Sequence, residues 1–501
     1  MTRESIYDLL VIGGGINGVG VARDAAGRGL SVCLCEQDDL AAHTSSASTK
    51  LIHGGLRYLE QYDFRLVRHA LQERRHLLRI APHIVHPQRF ILPHHLSLRP
   101  RWMIRLGLFL YDRLAGPDNL PGSGGVDLTR HPAGQALKPV YTRGFEYSDC
   151  RVQDARLVVV NAMDARQRGA DIRTRSRCIG LKRHANHWDV ILQARASGLR
   201  TRIQARAIVN AGGPWVEQVE TLGGMAGGGR HLRFVKGSHL VVPRLFSPEY
   251  AYIFQHTDGR VLFAIPFEQE FTLLGTTEVE LDQLPETVQV SRQETDYICE
   301  AVSHYLRQPV YPEDVVWSFS GVRPLFDAGP EDASKVSREY HLHLDRDQAP
   351  ILSIHGGKIT TYRRLAEEVM ELLSGVIPPY TGKTWTDSAS LPGGDLPGGD
   401  FEDFLAACLA RYPQLPPSLT TRYAGNYGSR IDQLLGDSTR VEELGHHFGN
   451  QLFEREVRYL VTNEFAETAD DIVWRRTRCG LGMSIREVAF LQQWLTDKAA
   501  A

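Results

Sequence analysis

The feature that most constrains the fold is an apolar run, Leu9 to Ile12, that leads directly into a turn with glycines at positions 13, 15 and 18. In this GxGxxG pattern the glycines permit a tight turn, close approach of the backbone to a pyrophosphate, and close packing of a helix on a strand. A second apolar run, Leu30 to Cys35, ends in Glu36. An acid there suits a ribose 2′-hydroxyl and would repel a 2′-phosphate. The pattern therefore predicts a Rossmann-like α/β unit that binds FAD or NAD rather than NADP.

Length, charge and cysteine content limit the class of protein. A chain of 501 residues is expected to form two to four domains, since domains average about 150 residues. The formal net charge of -2 gives no overall basic field, so we expect no nucleic-acid partner. The 7 cysteines are odd in number and contain no CxxC pair, which favours reduced thiols in the cytoplasm. Cys33 and Cys35 share one face of the second strand, and we expect them to pack there.

The N-terminus predicts neither export nor a membrane span. The segment before the first strand, Met1 to Ser5, is too short for a signal peptide. The longest weakly polar stretch, Leu9 to Ala22, is shorter than the roughly 20 residues that cross a bilayer.

The middle of the chain contains one long helical pattern and several short strand patterns. Residues 64 to 80 have helical periodicity without Gly or Pro, which predicts a long amphipathic helix. Short apolar runs at 238–242, 260–266 and 271–277 predict antiparallel strands, two of them in a hairpin, within a sheet inserted into the nucleotide fold. The segments 207–215 and 351–361 are each a strand that ends in small residues, as expected of backbone that approaches a flavin.

The doubled sequence LPGGD at 391–400 predicts a linker. Beyond it, helical periodicity is most convincing at 467–480 and 484–499, which predicts a C-terminal all-helical domain at 401–501. The first 390 residues are predicted to hold a discontinuous nucleotide-binding domain, at about 1–80, 150–230 and 330–390, with substrate-binding segments between its parts.

A polar segment at 44–59 follows the nucleotide half-site and contains hydroxyls, two glycines and three candidate substrate ligands. Hydroxyls and free backbone amides suit a pyrophosphate and a flavin edge. His53, Arg57 and Tyr58 would then face the substrate. The alternative is a polar surface loop, which the close backbone approach implied by Gly54 and Gly55 disfavours.

With these motifs the chain resembles the FAD-dependent glycerol-3-phosphate dehydrogenase family, of the bacterial aerobic type, within the D-amino-acid-oxidase-like flavoproteins. The resemblance extends from residue 13 to 361 and is carried by the segments 13–20, 45–60, 210–215, 236–239, 275–277, 321–325 and 356–361. The family fold is a Rossmann-like FAD-binding domain with an inserted antiparallel-sheet substrate domain and a C-terminal helical domain.

The motifs and the resemblance together assign the site residues. FAD, held without a covalent bond, is expected to contact the three glycine turns, Glu36 and the hydroxyl-rich segment: Gly13, Gly15, Ile16, Asn17, Gly18, Glu36, Ser45, Ser46, Ser48, Thr49, Lys50, His53, Gly54, Gly55, Ala211, Gly212, Gly356, Gly357, Lys358 and Thr360. The substrate is expected to contact cations that suit a phosphate monoester, with two neighbours: Arg57, Tyr58, Thr276, Arg323, Arg338 and Lys358. Glycine-rich, apolar surroundings predict that Arg323 is buried.

The reaction that the resemblance implies is oxidation of sn-glycerol 3-phosphate to dihydroxyacetone phosphate, with hydride transfer from C2 to flavin N5. His53 and His239 are the candidate bases, because imidazole titrates near working pH. Arg323 and Lys358 can stabilise a developing alkoxide. No metal is expected, because the pairs His94–His95, His446–His447 and His184 with His187 lack a recurring third ligand.

The resemblance further implies a membrane quinone as electron acceptor and is compatible with a homodimer. Residues 99–114 alternate arginines and a tryptophan with bulky apolar side chains, which suits a helix on a bilayer surface, although a buried helix with surface arginines fits nearly as well. We therefore expect a cytoplasmic protein attached to the inner face of the cytoplasmic membrane. Two alternatives stay open: an oxidase that uses oxygen, and a flavin-binding assembly protein without turnover.

Overall fold

The computed structural model describes residues 6–56, 63–95, 99–116, 120–225, 231–247, 249–256, 258–327, 340–380 and 382–500. The strands in these ranges are β1 Tyr7–Ile12, β2 Val32–Cys35, β3 Leu51–Ile52, β4 Val85–His94, β5 Gly124–Asp127, β6 Arg143–Val152, β7 Asp171–Arg173, β8 Ser176–Arg183, β9 Trp188–Ala194, β10 Arg200–Asn210, β11 His231–Pro243, β12 Tyr250–Gln255, β13 Val261–Phe267, β14 Phe271–Gly275, β15 Val279–Leu281, β16 Trp317–Asp327, β17 His341–Asp345, β18 Ile351–His355, β19 His447–Gly449 and β20 Leu452–Phe453. The helices are α1 Ile16–Gly27, α2 Phe64–Ile80, α3 Arg101–Ala115, α4 Asp154–Gln167, α5 Val216–Leu222, α6 Arg292–Ser303, α7 Tyr362–Leu373, α8 Phe401–Arg411, α9 Pro417–Tyr427, α10 Ile431–Leu435, α11 Glu454–Asn463 and α12 Ile485–Ala500.

The first sheet is the predicted Rossmann-like unit. Its strand order is β17-β18-β10-β1-β2-β7, and β1, β2, β7, β10 and β18 run parallel. Leu9, Leu10 and Val11 of β1 are fully buried, as expected for a central parallel strand covered on both faces. Helix α1 packs against α4 and α7 on one face of the sheet. The α/β fold class predicted from the glycine turn is confirmed.

The second sheet is the predicted antiparallel insertion. Its order is β15-β11-β14-β13-β12-β4-β6-β3, with β16 beside β11 and β5 beside β6. The hairpin predicted from the apolar runs is β13 and β14, whose pairing begins at Phe267 opposite Phe271. One pairing is parallel, β12 with β4, where Tyr252 lies opposite Ile91. This pairing joins strands that are distant in sequence into one curved platform.

Helix α2 has the bounds that the sequence predicts, Phe64–Ile80. The carboxylate of Asp63 accepts a hydrogen bond from the backbone N–H of Leu66 and so caps the first turn. Leu66, Val67, Ala70 and Leu71 face inward, and the helix packs on α3.

The C-terminal region is helical, but its helices lie elsewhere than the periodicity indicates. Only α12 matches a predicted segment. Residues 467–480 form instead a π turn at Asp471–Arg476 and a short 3₁₀ turn at Cys479–Gly482. Side-chain bonds to Asp39 hold both Arg475 and Arg476 in that turn, so tertiary contacts override local periodicity. A two-stranded ribbon, β19 and β20, adds to the helices.

The LPGGD doublet packs on the N-terminal region. Leu391 is fully buried, and its backbone N–H donates to the carbonyl of Ile80 at 2.8 Å. The division of the chain into domains at this point stays a prediction.

Candidate active site

A cavity of about 1440 Å³ opens between the two sheets. Residues after the carboxyl ends of β1, β10 and β18 line one wall, and residues of β11 and β16 line the other. A parallel α/β sheet binds ligands at this edge. The volume exceeds the usual 300–1,000 Å³ of small-molecule sites, and it leaves room for a dinucleotide together with a substrate.

The glycine turn lets backbone and helix approach one another as the motif requires. Gly13 has a φ of +114°, and a Cβ at Gly18 would lie 1.9 Å from the carbonyl oxygen of Gly13. The amino end of α1 therefore reaches the cavity without side chains in the way. Oδ1 of Asn17 is buried there and accepts no hydrogen bond from the described residues. The bare turn at the amino end of α1 is the feature that a dinucleotide phosphate would fill, whereas Oδ1 of Asn17 is an acceptor that suits a hydroxyl or N–H group of a ligand.

Glu36 is held at the end of β2 by backbone hydrogen bonds. Its carboxylate accepts hydrogen bonds from the backbone N–H of Gly14 at 2.6 Å and of Asp38 at 2.8 Å. Burial raises the pKa of Glu36. On the other side of the turn, the backbone N–H of Ile16 donates to Oγ of Ser45 at 3.0 Å. These contacts position an acid for a ribose and tie the hydroxyl-rich segment to the start of α1.

Most of the residues proposed for the cofactor line this one cavity: Gly13, Gly15, Ile16, Asn17, Glu36, Ser45, Ser48, Thr49, His53, Gly54, Ala211, Gly212, Gly356, Gly357, Lys358 and Thr360. Gly18, Ser46, Lys50 and Gly55 are not among its lining residues. Nζ of Lys50 lies 2.8 Å from Oδ1 of Asp154 and donates to the carbonyl of Ser46. Lys50 therefore stabilises the hydroxyl-rich segment without lining the cavity.

Arg323 on β16 faces the cavity from the second sheet. Its Nη1 lies 3.5 Å from a carboxylate oxygen of Glu278, and its Nη2 donates to the carbonyl of Thr277 at 3.3 Å. A Cβ on Gly237 would lie 2.7 Å from Nη2 of Arg323 and 2.8 Å from the hydroxyl of Thr276, so this glycine makes room for both side chains. The expectation that Arg323 is buried is wrong: its side chain is 38% exposed, because it points into open cavity space.

His239 lies on β11, 3% exposed, with its ring stacked on Phe319 at 5.0 Å. Its Nε2 lies 3.0 Å from the hydroxyl of Thr49, and its Nδ1 has no hydrogen-bond partner among the described residues. Burial, together with the nearby charges of Lys50 and Arg323, lowers the pKa of His239 to about 3. The ring is therefore neutral throughout the physiological range.

His53 lines the same cavity as His239. Phe263 and His239 both pair with Gly275, and the His53 ring meets the Phe263 ring edge-on at 6.4 Å. Removal from water lowers the pKa of His53, and the charge of Lys358 lowers it further. The two candidate bases and the two described cations therefore line the same cavity, with Lys358 near enough to His53, and Arg323 near enough to His239, to lower the pKa of each ring.

Arg57, Tyr58 and Arg338 lie outside the described residues. Their assignment to the substrate site stays a prediction.

Sequence reasoning missed three residues that support the site. The hydroxyl of Tyr111 on α3 accepts a hydrogen bond from the backbone N–H of Gly54 and donates to Asp149, which also pairs with Arg74 at 2.7 Å. Each lies more than 15 residues from Gly54 and in no motif. An arginine, a tyrosine and an aspartate on three separate elements give no local signal.

The cysteines and the histidines of the β8–β9 hairpin bear on the predictions of free thiols and of no metal site. All 7 cysteines are free, and Cys33 and Cys35 are buried in β2 as predicted. His184 and His187 do have a third potential ligand, since Asp189 lies beside both on the β8–β9 hairpin, and the ligand atoms lie within 4.8 Å of one another. None of these three residues lines the cavity. The expectation of a metal-free site is a prediction still.

Helix α3 exposes an apolar stripe. Trp102 is 66% exposed, and Leu106 and Phe109 follow it at one-turn spacing with 49% and 45% exposure. Arg105 lies on the same face, while Leu108, Tyr111 and Ala115 are buried. Among the described helices, none has the length and apolar character needed to traverse a bilayer.

Comparison with known proteins agrees with this geometry. Residues 8–363 match the family profile of FAD-dependent oxidoreductases, and residues 384–494 match the C-terminal domain of alpha-glycerophosphate oxidase. The chain is 46% identical to the aerobic glycerol-3-phosphate dehydrogenase of Escherichia coli over 98% of this chain and 97% of that one. It is 48% identical to D-erythritol 1-phosphate dehydrogenase of Brucella abortus over 99% of both chains.

A solved structure has the same fold over almost the whole chain. The glycerol-3-phosphate dehydrogenase of Bacillus halodurans, complexed with FAD, is 27% identical, with a TM-score of 0.78, and the match covers 99% of this chain and 91% of that one. The cavity fits that cofactor in its glycine turn, its acid and its size. The chain therefore belongs to the FAD-dependent oxidoreductases, in the family of the FAD-dependent glycerol-3-phosphate dehydrogenases, and its cofactor is FAD.

Proposed function

We propose that the protein oxidises sn-glycerol 3-phosphate to dihydroxyacetone phosphate and passes the electrons to a quinone in a bilayer on which α3 docks. One observation carries the proposal: Arg323, Lys358, His53 and His239 all line one cavity together with the glycine turns and Glu36. That combination supplies what the oxidation of an alcohol on a phosphate monoester needs, namely fixed cations and a neutral base.

The cations bind the phosphate group. Arg323 offers a fork of donors, and Lys358 offers a point charge from the turn after β18. The partial exposure of Arg323 supports this role, because a guanidinium that faces solvent in the cavity can exchange water for phosphate oxygens. Its contact with Glu278 at 3.5 Å is loose enough to yield to a bidentate phosphate.

His239 is the favoured base and His53 the alternative. The contact between Nε2 and the Thr49 hydroxyl orients the His239 ring, and a neutral imidazole can accept the proton of the C2 hydroxyl. FAD, when bound, accepts the C2 hydrogen with its electron pair. Because the pKa of His239 is about 3, full protonation ahead of that step would be costly. Proton transfer is therefore expected to accompany the loss of the C2 hydrogen, with Arg323 and Lys358 stabilising negative charge on the oxygen.

A longer polyol phosphate is the second candidate substrate. The observation that favours it is the 48% identity to D-erythritol 1-phosphate dehydrogenase, over 99% of both chains. Both substrates carry a phosphate and a secondary hydroxyl, so the same cations and base serve either. They differ in the chain that remains beyond the reacting carbon.

The experiment compares kcat/KM for the two substrates with a soluble dye as acceptor. We expect glycerol 3-phosphate to be preferred, and Arg323→Gln to lower kcat/KM for both substrates. If kcat/KM for D-erythritol 1-phosphate were tenfold or more higher, the four-carbon compound would replace glycerol 3-phosphate as the proposed substrate. Loss of neither activity in Arg323→Gln would remove that residue from the phosphate site.

The exposed stripe of α3 supports peripheral attachment to the inner face of the cytoplasmic membrane. Trp102, Leu106 and Phe109 would enter the apolar boundary of the bilayer, and Arg105 would meet anionic headgroups. Each such arginine adds about 1 kcal/mol of attraction to an anionic surface. Electrons can then pass to a quinone that never leaves the lipid.

Liposome co-sedimentation tests the membrane face. Trp102→Ser with Phe109→Ser should reduce binding to anionic vesicles and activity with a quinone, and should spare activity with a soluble dye. The control is Val140→Ser with Leu199→Ser, which removes two side chains of 73% and 66% exposure outside α3. Equal binding of both double variants would place the membrane face elsewhere. Stoichiometric peroxide formation in air would favour an oxidase instead of a quinone-linked enzyme.

A further inference from the structure

Among its contacts with the cofactor-binding part of the chain, which include buried Arg156 with Glu464, the C-terminal domain reaches the cavity side through the segment 471–478. The contact is made to Asp39, which lies in the FAD loop, defined here as residues 36–46. Nη1 and Nη2 of Arg476 each lie 2.8 Å from one carboxylate oxygen of Asp39, a bidentate pair. Nε of Arg475 lies 2.6 Å from Oδ2 of the same carboxylate.

This contact is buried and internally satisfied. The side chains of Arg476 and Asp39 are 0% and 2% exposed. The second guanidinium, that of Arg475, also donates to Asp471 at 2.5 Å, and Nε of Arg476 donates to the carbonyl of Glu464 at 3.0 Å. A bidentate pair in dry surroundings fixes orientation as well as distance. Removing one partner would leave the other charge buried without compensation.

Three residues of the FAD loop, which Asp39 anchors, line the candidate FAD site. Glu36 begins the loop, the His43 ring contacts the Trp215 ring with centroids 4.6 Å apart and planes 60° apart, and Ser45 binds the start of α1. The backbone N–H of Ala41 donates to the carbonyl of Gly14 in the glycine turn at 3.2 Å. A shift of Asp39 would therefore displace groups on both sides of the cofactor's phosphate.

The same segment also contacts the strand that carries Arg323. Trp474 stacks on Trp317 of β16 with ring centroids 4.8 Å apart and planes 10° apart. Nη1 of Arg478 lies 2.6 Å from a carboxylate oxygen of Glu268, between β13 and β14. One turn of the C-terminal domain thus bonds to the cofactor loop and to the substrate sheet.

We infer that the C-terminal domain positions the FAD loop, and that Arg475 and Arg476 are positioning residues that act on the cofactor through Asp39. Since the inference concerns FAD retention alone, it does not rest on the identity of the substrate.

The test measures release of FAD from the diluted holoenzyme by flavin fluorescence, with the melting temperature of each variant alongside. Asp39→Asn and Arg476→Gln should raise the dissociation constant of FAD at least tenfold, and Arg476→Lys should be intermediate because it keeps the charge but loses the fork. The matched control is Arg422→Gln. Arg422 makes an equivalent bidentate pair with buried Glu456, both bonds 2.7 Å long, inside the C-terminal domain and away from the FAD loop. It should lower the melting temperature and change FAD affinity less than twofold.

A milder variant keeps the test decisive if the buried changes prevent folding. Arg475→Gln alters the more exposed guanidinium, at 18% exposure, and should weaken FAD binding by a smaller factor. Combined with Asp39→Asn, it should weaken binding no further than Asp39→Asn alone, because both remove the same contact. Unchanged FAD release in Asp39→Asn and Arg475→Gln would overturn the inference. FAD release from Arg422→Gln as fast as from Asp39→Asn would overturn it too, because the segment would then contribute to stability alone.

Discussion

The hydroxyl of Tyr111 lies 2.8 Å from the backbone nitrogen of Gly54. Tyr111 belongs to the buried face of α3, and Gly54 follows His53 in the candidate active site. The helix proposed to rest on the membrane is therefore hydrogen-bonded to the segment proposed to bind substrate. Asp149 completes the arrangement by accepting from the Tyr111 hydroxyl at 2.8 Å.

Tyr111→Phe should lower kcat/KM about tenfold with little loss of bound FAD. The change leaves a buried N–H at Gly54 without its acceptor, which costs about 1–3 kcal/mol and frees the His53 segment to move. Steady-state kinetics with a soluble dye measure the effect. Tyr423→Phe is the control, because the buried Tyr423 hydroxyl has no hydrogen-bond partner among the described residues. Equal kinetics in Tyr111→Phe and wild type would show that the contact is dispensable.

Arg323→Ala and Arg57→Ala should each reduce kcat/KM severely while the flavin spectrum stays intact. Loss of a charged contact in the site costs about 2–4 kcal/mol, which corresponds to roughly 30- to 1000-fold. Lysine should rescue Arg323→Ala poorly, because it lacks the fork. Arg292→Ala controls for a general effect of charge, since that arginine is 93% exposed on α6. Near wild-type kinetics in either variant would exclude that arginine from the site.

Gly18→Ala should abolish FAD binding. The added Cβ would lie 1.9 Å from the carbonyl oxygen of Gly13, so either α1 or the turn must move away from the phosphate position. The flavin-to-protein absorbance ratio of the purified variant measures the loss. Gly125→Ala is a matched change on β5, where an added Cβ meets nothing within 4 Å, and it should retain full flavin. A yellow Gly18→Ala protein would contradict the close approach of helix and turn.

The pH profile of kcat should show no loss of activity at low pH caused by protonation of His239. A pKa of about 3 keeps this imidazole neutral and able to accept a proton at every pH from 5 to 8. The measured quantity is kcat at saturating substrate, because the substrate phosphate itself titrates near pH 6. A limb with a midpoint near 6.5 that disappears in His239→Asn would contradict the account. The same burial has a cost in stability: the unfolded chain takes up a proton below about pH 6.5 and the folded chain does not, so stability falls as pH falls toward 3.

Local patterns predicted the parts of the site that are local. The glycine turn, Glu36, the hairpin of β13 and β14 and the bounds of α2 all depend on neighbours in sequence, and each lies where the motifs indicate. The sequence of α3 fits a helix on a bilayer surface and a buried helix with surface arginines almost equally well. In the structure Tyr111 lies on a buried face and Trp102 on an exposed one, and contact of the exposed face with a membrane stays a proposal.

The contacts that sequence could not predict join distant segments. Arg476 meets Asp39 across 437 positions, and Lys50 meets Asp154 across 104. Nothing near Lys50 distinguishes an amine that binds phosphate from one that braces a loop. Likewise, the periodicity of residues 467–480 could not reveal that two adjacent arginines turn toward one distant carboxylate.

In the proposed function, this cavity binds FAD and a glycerol phosphate in contact with each other. Anaerobic addition of sn-glycerol 3-phosphate to the purified protein, followed by its visible spectrum, tests it most directly. We expect rapid bleaching of the visible flavin absorbance by a stoichiometric amount of substrate, and little bleaching in Arg323→Ala. A flavin spectrum unchanged by glycerol 3-phosphate in the wild-type protein would contradict it.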